Sequence, residues 1–555
     1  MAAIPYDEKK DDLYADAHVA APQVEFGEGH YDATGETQLG DGNGELKRQL
    51  KSRHIAMISI GGVIGTGLFL GTAGALKNGG PLGLLMGYSV VGSICYAVMI
   101  SLGEMVAYLP LPGGHIRLAD RFVDPAFAFT LGWNYWYNWT IILPAELSAA
   151  AVLINYWNKS VNNGVWITIC LLVVFAINFA GAGVYGECEF WFASIKVLTI
   201  VGLIILGIIL TAGGGPDKTA HGFEYWKNPG PLVQYAGIPG VLGRFLGFWA
   251  VLSQAAFSYI GTEIVAIAAG EAKNPRRNLP KAIKRVYIRI VLFYLLGTFV
   301  IGLLVPSNYP HLGLGSKNAA GSPFVIAIKR SGIKALPSIV NACLLTSAWS
   351  AASSDLYTSS RALYGLALSR RAPKIFMKCT KNGLPWVSVI FCALFGGLAY
   401  MSLQSSAGTV FGYFANMTAA AGLLTWWGIC FLYIRFYKGM RVQGLNRRDL
   451  PYWSRLNNKA IAAWYAIVMI TIILIFFSWN VFLNSETDFT ANFITSYLPI
   501  AVFPVLYLGF KFIKKTRFVR AAEMDFVSDI AQIEAETYEE AAPTTWYGKF
   551  WSWLM

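Results

Sequence analysis

Four ionisable residues stand inside long apolar stretches of this 555-residue chain: Glu146, Lys196, Glu263 and Asp355. A charge at the centre of a bilayer costs about 2.5–3.5 kcal/mol on insertion scales, so such residues usually face a cavity, form pairs or carry protons. We favour a cavity or proton role for Glu146 and Glu263. Lys196 either extends to the membrane surface or, when desolvated, exchanges protons. Asp355 is equally compatible with a cavity or proton role and with a structural role, either helix capping or pairing with Arg361.

Glycines crowd the first apolar stretch, which reads Ile60-Gly-Gly-Val-Ile-Gly-Thr-Gly-Leu-Phe. Each Gly costs about 1 kcal/mol relative to Ala in a helix, so the run calls for an explanation. One explanation is close helix packing through small residues. The other is an unwound break at Gly65, Thr66 and Gly67 that faces a cavity. A dinucleotide-binding loop is disfavoured, because no strand precedes the glycines and their spacing is wrong.

The Ile64-Gly65-Thr66 triplet recurs as Ile260-Gly261-Thr262 in the sixth apolar stretch. The two triplets open two units of five stretches each, and an odd number inserts the second unit upside down. Interrupted segments at matching positions of two halves are the best sequence pointer to a transporter site. The sequence therefore predicts that helices 1 and 6 are discontinuous.

Two such breaks would present opposite partial charges. The free N–H groups after Gly67 form the positive end of a half-helix, which suits a carboxylate. The half-helix before Gly261 ends in unpaired carbonyls that suit an ammonium, those of Phe257, Ser258, Tyr259 and Ile260. Together they match the zwitterionic head group of an α-amino acid. A sugar would gain little from opposed dipoles, and an inorganic ion would not need both ends.

The elements that hold these residues are predicted to be membrane-spanning helices. Apolar residues make up 55% of the chain and charged residues only 14%, whereas soluble domains have about 25% charged residues. The apolar runs are too long and continuous for a membrane β-barrel. We predict an all-α membrane protein with twelve transmembrane helices, a 5+5 inverted-repeat core and two extra helices. The spans are expected near residues 54–76, 82–109, 127–155, 164–182, 190–212, 246–270, 285–305, 336–361, 384–403, 409–434, 460–482 and 493–513.

Charge divides the chain into three parts. Residues 1–46 have a net charge of −9 and form a predicted disordered N-terminal tail, residues 47–520 the twelve-helix domain, and residues 521–555 an acidic C-terminal tail. Lys and Arg number 30 on one set of loops and flanks and nine on the other, which predicts that both termini are cytosolic. The basic residues lie in short loops between apolar runs, so we expect contact with membrane lipid and no binding of nucleic acid.

The remaining reactive side chains indicate no catalytic or metal site. The seven Cys stand singly without a CxxC pair, and the six His lie in tails, loops or segment edges. No nucleophile–base set appears at membrane depth, so we expect no enzyme and no cofactor. Glu104 stands near the end of the second stretch and is predicted to anchor a loop. Lys9 and Lys10 are either plain solvated lysines or acceptors for ubiquitin-ligase machinery.

Several strings together resemble fungal amino-acid permeases, the yeast amino acid transporter family of the amino acid–polyamine–organocation superfamily. They are GGVIGTGLF, GECEFWFASIKVL and FSYIGTEIVAIAAGEAKNPRRNLPKAI. The resemblance covers about residues 47–520, and the proline and neutral amino-acid branch looks closest. It implies proton-coupled uptake at the plasma membrane, with the proton gradient as the energy source. A non-transporting amino-acid sensor on the same fold is the alternative.

The resemblance also implies roles for individual residues. Gly65, Thr66 and Gly67 match the family's carboxylate site, and Phe257–Gly261 its amine-binding break. Lys196 matches a lysine that takes the place of a sodium ion in bacterial proton-coupled relatives, and Glu146 and Glu263 match acidic positions. Many members have Asn where this chain has Asp355. Substrate choice is expected to involve the tenth span around Asn416 and Thr418, whose neutral character fits neutral substrates.

Overall fold

The computed structural model describes residues 57, 61, 64–111, 113–158, 160–264, 275–310, 312, 322–483, 489–535 and 545–546. The predicted N-terminal tail with Lys9 and Lys10 lies outside the described residues, as do residues 265–274 after the predicted sixth break. Within the described ranges the chain forms helices and turns and contains no β-strand. The prediction of an all-α protein is confirmed for this part of the chain.

Eleven longer helices carry the fold. They are α1 (Thr72–Tyr108), α2 (Pro125–Ile154), α3 (Asn163–Phe179), α4 (Ala182–Thr211), α5 (Gly240–Tyr259), α6 (Pro275–Arg289, continued by Ile290–Leu295 and Leu296–Leu304), α7 (Leu336–Leu368), α8 (Trp386–Phe395, continued by Gly396–Leu403), α9 (Ala407–Val442), α10 (Ile461–Ile475) and α11 (Phe489–Lys514). Short helical pieces lie between them, at Gly67–Gly71, Gly114–Phe122, Glu224–Lys227, Tyr235–Gly237, Pro323–Arg330, Lys374–Met377, Arg447–Asp449, Arg455–Ala460, Trp479–Phe482, Ala521–Glu523 and Ile530–Ala535.

Nine helical stretches of the described residues are long and apolar enough to cross a membrane. Two further helices coincide with predicted spans: α3 has 17 residues, and α7 carries many polar side chains along its 33 residues. The beginning of the first predicted span lies outside the described residues. The number of twelve spans and the inverted repeat stay predictions.

The first two predicted spans follow each other through one sharp kink. Gly80 has φ +73° and ψ 177°, and Pro81 follows it. Only Gly adopts this positive φ without strain, and Pro cannot continue the hydrogen-bond ladder behind it. The freed N–H of Leu82 donates to the carbonyl of Pro231 at 2.9 Å. The kink therefore leaves this N–H paired.

Glycines let α1 lie directly on α5. A Cβ at Gly79 or Gly87 would stand 2.5 Å from a methyl carbon of Val251, closer than real Cβ contacts come. Small residues allow such close approach of helices where no hydrophobic driving force acts between them. The glycine pattern of α1 therefore fixes the position of α5, which leads into the sixth predicted break.

The C-terminal segment packs against the helix ends. Phe526 is 1% exposed and contacts the rings of Phe122, Phe436 and Tyr108. Arg121 binds both Asp525 and Asp529, at 3.0 and 2.8 Å. The first part of the predicted C-terminal tail is therefore joined to the helical body.

Candidate functional site

The first segment is interrupted where the sequence predicts a break. Gly61 is helical, Ile64 and Gly65 are not, and the helix begins again at Thr66 and continues through a π-helical turn at Gly67–Gly71. The Ile64 carbonyl accepts a hydrogen bond from the Ser347 hydroxyl of α7 at 3.4 Å. We call Ile64–Gly67 the first break.

The sixth segment is interrupted in a comparable way. Helix α5 ends at Tyr259, Ile260 is extended with φ −61° and ψ 145°, and Gly261 has φ +97°, a conformation that favours Gly. The Thr262 hydroxyl donates to the Tyr259 carbonyl at 2.7 Å, so one of the four predicted free carbonyls is already capped. We call Phe257–Gly261 the second break.

The two breaks touch each other. A Cβ at Gly67 would lie 2.8 Å from Ser258 Cα and 2.9 Å from its Oγ, so only Gly fits there. One turn further, a Cβ at Gly71 would lie 4.0 Å from the same Oγ, an ordinary contact. The Ser258 hydroxyl shares a hydrogen bond with Tyr88 of α1 at 2.7 Å. A helix N-terminus and a helix C-terminus therefore meet inside the protein with opposite partial charges.

A buried carboxylate lies on the first break. The Thr66 hydroxyl donates to Glu146 Oε1 of α2 at 2.8 Å, and the Thr66 backbone N–H faces the same carboxylate. Glu146 is 2% exposed, and its other oxygen, Oε2, has no hydrogen-bond partner. The N-terminal end of this half-helix thus already holds a carboxylate of the protein itself.

Lys196 of α4 lies beside the same break. Its ammonium donates to the Gly61 carbonyl at 3.2 Å and stands 3.9 Å from Glu189 Oε1. The Ser350 hydroxyl of α7 donates to Glu189 Oε2 at 2.6 Å. Lys196 and Glu189 are both buried, at 0% and 1% exposure.

Asp355 of α7 completes the group that we call the Lys196 cluster, namely Glu146, Glu189, Lys196 and Asp355. The charges of Lys196, Glu146 and Glu189 all act on Asp355, and its Oδ2 has no hydrogen-bond partner. The alternative pair with Arg361 is absent among the described contacts, because Arg361 stacks on Tyr357 at 3.8 Å and donates to Ser360. The cluster therefore contains one cation and three carboxyl groups.

Glu263 lies in a different environment from the Lys196 cluster. Its Oε2 accepts hydrogen bonds from the Trp426 indole at 3.0 Å and from the Gly261 N–H at 3.2 Å. The cation whose charge acts on it is Arg289 rather than Lys196. The sequence grouped Glu263 with Glu146 and Lys196, whereas the structure attaches it to the second break and α9.

The two predicted selectivity residues of α9 lie in different surroundings. Thr418 is fully buried, with a hydroxyl that has no partner, while Asn416 is half-buried and lines a cavity of about 120 Å³ together with Asn78, Gln254 and Trp249. Residues two apart on an α-helix point to nearly opposite sides, so both cannot face one site. On α9, Gly422 lies against the Ile260 side chain of the second break, and the Phe411 ring meets the Phe257 ring with centroids 5.6 Å apart.

Sequence reasoning missed Glu189. It lies seven residues before Lys196, which places both side chains on one face of a helix two turns apart. The predicted span began at residue 190, whereas α4 begins at Ala182 and includes Glu189. The periodicity was a usable signal, and the misplaced boundary concealed it. Tyr88, the partner of Ser258, had no comparable signal because its contact depends on the packing of α1 on α5.

Glu104 binds a loop rather than the breaks. Its carboxylate accepts hydrogen bonds from the Tyr433 hydroxyl at 2.5 Å, from the Ser454 N–H at 2.8 Å and from Arg447 at 3.0 Å. Arg447 in turn donates to the Asn457 and Ser454 carbonyls. The prediction that Glu104 anchors a loop is confirmed, and we call these five residues the Glu104 network.

Comparisons with known proteins show which family the chain belongs to. The family model described as amino acid permease matches residues 54–523. The dicarboxylic amino acid permease of Saccharomyces cerevisiae is 43% identical over 492 residues, covering 87% of this chain and 80% of the relative. The proline-specific permease of Emericella nidulans is 41% identical over 518 residues, covering 92% and 93%.

A solved structure supports the fold. The crystal structure of the Eremococcus coleocola manganese transporter superposes with a TM-score of 0.53 over 86% of this chain and 98% of that one, at 13% sequence identity. At such low identity the likeness concerns the fold alone. Together with the extent of the family match, these findings show that the chain is a multi-pass membrane protein of the amino acid permease family, whose relatives are transporters of amino acids and not enzymes.

Proposed function

We propose that this protein is a proton-coupled symporter that carries neutral amino acids, proline among them, across the plasma membrane by alternating access. The observation that carries the proposal is the contact between the two breaks at Gly67 and Ser258. A helix N-terminus and a helix C-terminus meet there, beside a buried cluster of ionisable groups. This combination suits the carboxylate and the ammonium of one small zwitterion.

Proton coupling is supported by the charge balance of the Lys196 cluster. One ammonium and three carboxyl groups share an interior where an unpaired charge is expensive. With all four ionised, the cluster would have a net charge of −2, so neutrality requires bound protons. The proton gradient would then supply the energy, without a cofactor.

Preference for neutral substrates is supported by the side chains near the second break. Glu263 is engaged by Trp426 and Gly261, and the neighbouring α9 positions are uncharged: Asn416, Thr418 and Gly422. The names of the relatives do not favour one substrate class for this chain, because one relative is named for dicarboxylic amino acids and another, at nearly the same identity, for proline. A cationic or dicarboxylic amino acid would need an unpaired protein charge of opposite sign near its side chain.

We further propose the topology that the sequence predicts. Twelve spans in a 5+5 inverted repeat with two extra helices would place the two breaks as counterparts. The excess of Lys and Arg on one set of loops would place both termini in the cytosol. Glycosylation-site insertion into the loops at residues 213–223 and 370–380 would test this, since only the first is expected to become modified.

The site is tested by a pair of glycine variants in a host deficient in amino-acid uptake. Gly67→Val should reduce the initial rate of labelled proline uptake about 5- to 150-fold, because overpacking against the Ser258 backbone costs about 1–3 kcal/mol and 1.4 kcal/mol is tenfold. Gly71→Ala is the matched control one turn away and should transport normally. Normal uptake by Gly67→Val at normal surface level would refute the site.

Substrate class and coupling are tested with the unaltered protein. Unlabelled neutral amino acids should compete with labelled proline, and lysine and glutamate should not. An acidic outside medium should raise the accumulation ratio, and a protonophore should abolish accumulation. Competition by glutamate or lysine alone would overturn the neutral class, and accumulation indifferent to the protonophore would overturn the coupling. A sensor that does not transport would fail to support growth on proline as the nitrogen source.

A further inference from the structure

Glu146 lies where the proposed function expects the carboxylate of the transported amino acid. The half-helix that begins at Thr66 offers its first N–H groups and the Thr66 hydroxyl as donors, and Glu146 Oε1 accepts from this hydroxyl at 2.8 Å. Helix N-termini bind anions through such free N–H groups. The protein therefore fills its own anion site with a side-chain carboxylate from α2.

We propose that Glu146 is a resident competitor of the substrate carboxylate, and that a proton must neutralise it before the amino acid binds. This inference rests on the proposed function and adds the order of events: proton first, substrate second. The first break then serves as one anion site with two alternating occupants, the Glu146 carboxylate and the carboxylate of the amino acid.

The geometry supports an exclusive exchange. Two carboxylates that share one site cannot both be ionised, because like charges a few ångströms apart repel strongly in a weakly polar interior. Glu146 Oε2 has no hydrogen-bond partner, so a proton can bind there without breaking a contact. The proton comes from water and stays on Glu146, the amino acid remains a zwitterion, and no covalent bond to carbon forms or breaks. After the amino acid leaves on the other side, Glu146 releases the proton to water and binds Thr66 again.

Glu189 makes this exchange compatible with the buried ammonium of Lys196. The side chains whose charges act on Glu146 from neighbouring elements are Lys196 of α4 and Asp355 of α7. Glu189 Oε1 lies 3.9 Å from the Lys196 ammonium, and Glu189 Oε2 accepts a hydrogen bond from the Ser350 hydroxyl. Lys196 thus keeps a counter-charge when Glu146 becomes neutral. The exchange at the first break leaves no isolated cation behind.

The direct test uses the purified full-length protein in detergent and labelled L-proline. In a weakly buffered solution, binding of proline should take up protons, approaching one per bound molecule as the pH rises and Glu146 becomes fully ionised in the free protein, read with a pH-indicator dye. The dissociation constant should rise by up to tenfold per pH unit across the range in which Glu146 ionises, because proton and substrate binding are linked. Binding of proline without proton uptake would overturn the inference and leave transport itself intact.

Two variants assign the proton to Glu146. Glu146→Gln is neutral and still accepts from Thr66, so its dissociation constant for proline should stay at the acid-side value of the unaltered protein between pH 5 and 8. It should exchange labelled for unlabelled proline across vesicles but lose accumulation driven by a pH gradient. Glu224→Gln replaces an exposed carboxylate outside the cluster by the same amide, so it is the matched control and should keep the pH dependence of binding.

Other outcomes would contradict the inference. If proline binding kept its normal pH dependence in Glu146→Gln, or lost it in Asp355→Asn alone, the proton site would be Asp355 instead of Glu146. Loss of proline binding by correctly folded Glu146→Gln at every pH would mean that the anionic carboxylate itself contacts the substrate. If the unaltered protein bound none of the twenty amino acids at any pH, the proposed function would fail rather than this mechanism.

Discussion

Glu104 and Glu146 are both buried carboxylates on long helices, and their surroundings differ in one respect. Glu104 accepts from Tyr433, Ser454 and Arg447, so both of its oxygens are satisfied. Glu146 accepts from Thr66 through one oxygen and leaves the other without a partner. A carboxylate with all its donors in place fixes structure. A carboxylate with a spare oxygen retains the capacity to bind a proton.

The Glu104 network and the Lys196 cluster differ in the same way, in how completely their carboxyl groups are paired. The Glu104 network pairs one acid with one guanidinium and links α1, α9 and the loop after α9. The Lys196 cluster holds three acids and one ammonium at membrane depth and links the first break to α2, α4 and α7. Under the proposed proton coupling, the Lys196 cluster with its excess carboxyl groups would change its charge, and the balanced Glu104 network would not.

The largest effect is expected at Glu104. Glu104→Ala leaves Arg447 without its counter-charge in a site where the Arg447 side chain is 12% exposed, and removal of one partner of a buried pair costs about 3–5 kcal/mol. The thermal midpoint of the purified protein should fall strongly, while uptake per molecule at the surface stays near normal. Glu224→Ala, an exposed acid paired with His221, is the control and should change stability by less than about 0.5 kcal/mol.

Glu189→Gln should give the opposite result to Glu104→Ala, a loss of uptake with little loss of stability. The amide still accepts from Ser350 but no longer balances Lys196, and a charged partner contributes about 1.5–3 kcal/mol. The initial rate of proline uptake should fall about 10- to 150-fold on the scale of 1.4 kcal/mol per tenfold change. The thermal midpoint should move little, because Glu146 and Asp355 remain able to balance the ammonium. A large loss of stability with normal uptake would place Glu189 with the structural carboxylates.

A smaller effect is expected from Gly422→Ala on α9. The added Cβ would collide with the Ile260 side chain at the second break, and overpacking of this kind costs about 1–3 kcal/mol. Uptake should fall several-fold. Gly412→Ala on the same helix meets nothing within 4 Å and should transport as the unaltered protein does. Equal uptake by the two variants would mean that the contact between Gly422 and Ile260 does not position the second break.

The smallest effect concerns the C-terminal segment. Partial burial raises the pKa of Asp525, but the N–H groups of Ser528 and Val527 and the Arg121 guanidinium outweigh it, so the pKa lies below its usual 3.8. The ionised form is therefore favoured in the folded protein. The stabilisation of the folded protein by ionised Asp525 is present above pH 3.8, and it is lost as the pH falls through the lower pKa that Asp525 has in the folded protein.

The corresponding measurement compares the unaltered protein with Asp525→Asn. Their thermal midpoints should differ slightly at pH 7, by the equivalent of less than about 1 kcal/mol for an exposed pair, and should converge below pH 3.8. A difference that grows toward acid pH would contradict the assignment of this contact to the ionised Asp525.

Part of the site was predictable from local sequence. The glycines at 65, 67 and 261 predict weak helix propensity, and the structure interrupts the helices at Gly65 and Gly261, whereas Gly67 lies in the helical turn that follows the first interruption. Glu146 and Lys196 are conspicuous because a charge in an apolar stretch is rare. Asn416 and Thr418 were grouped by proximity in sequence, and the helical period then separates them. Glu189 was missed because an apolar window does not fix where a helix starts.

By itself, the sequence determined that the chain is a helical membrane protein, where its helices are weak and which charges it carries into the apolar interior, since these depend on composition and local propensity. Only the tertiary structure decided which groups meet. The contacts of Gly67 with Ser258 and of Thr66 with Glu146 join residues at least 80 positions apart, through the packing of α2 and α5 against the first break. Local propensity holds no information on which helix faces come together, and that choice gives Glu104 partners for both carboxylate oxygens and leaves Glu146 Oε2 without one.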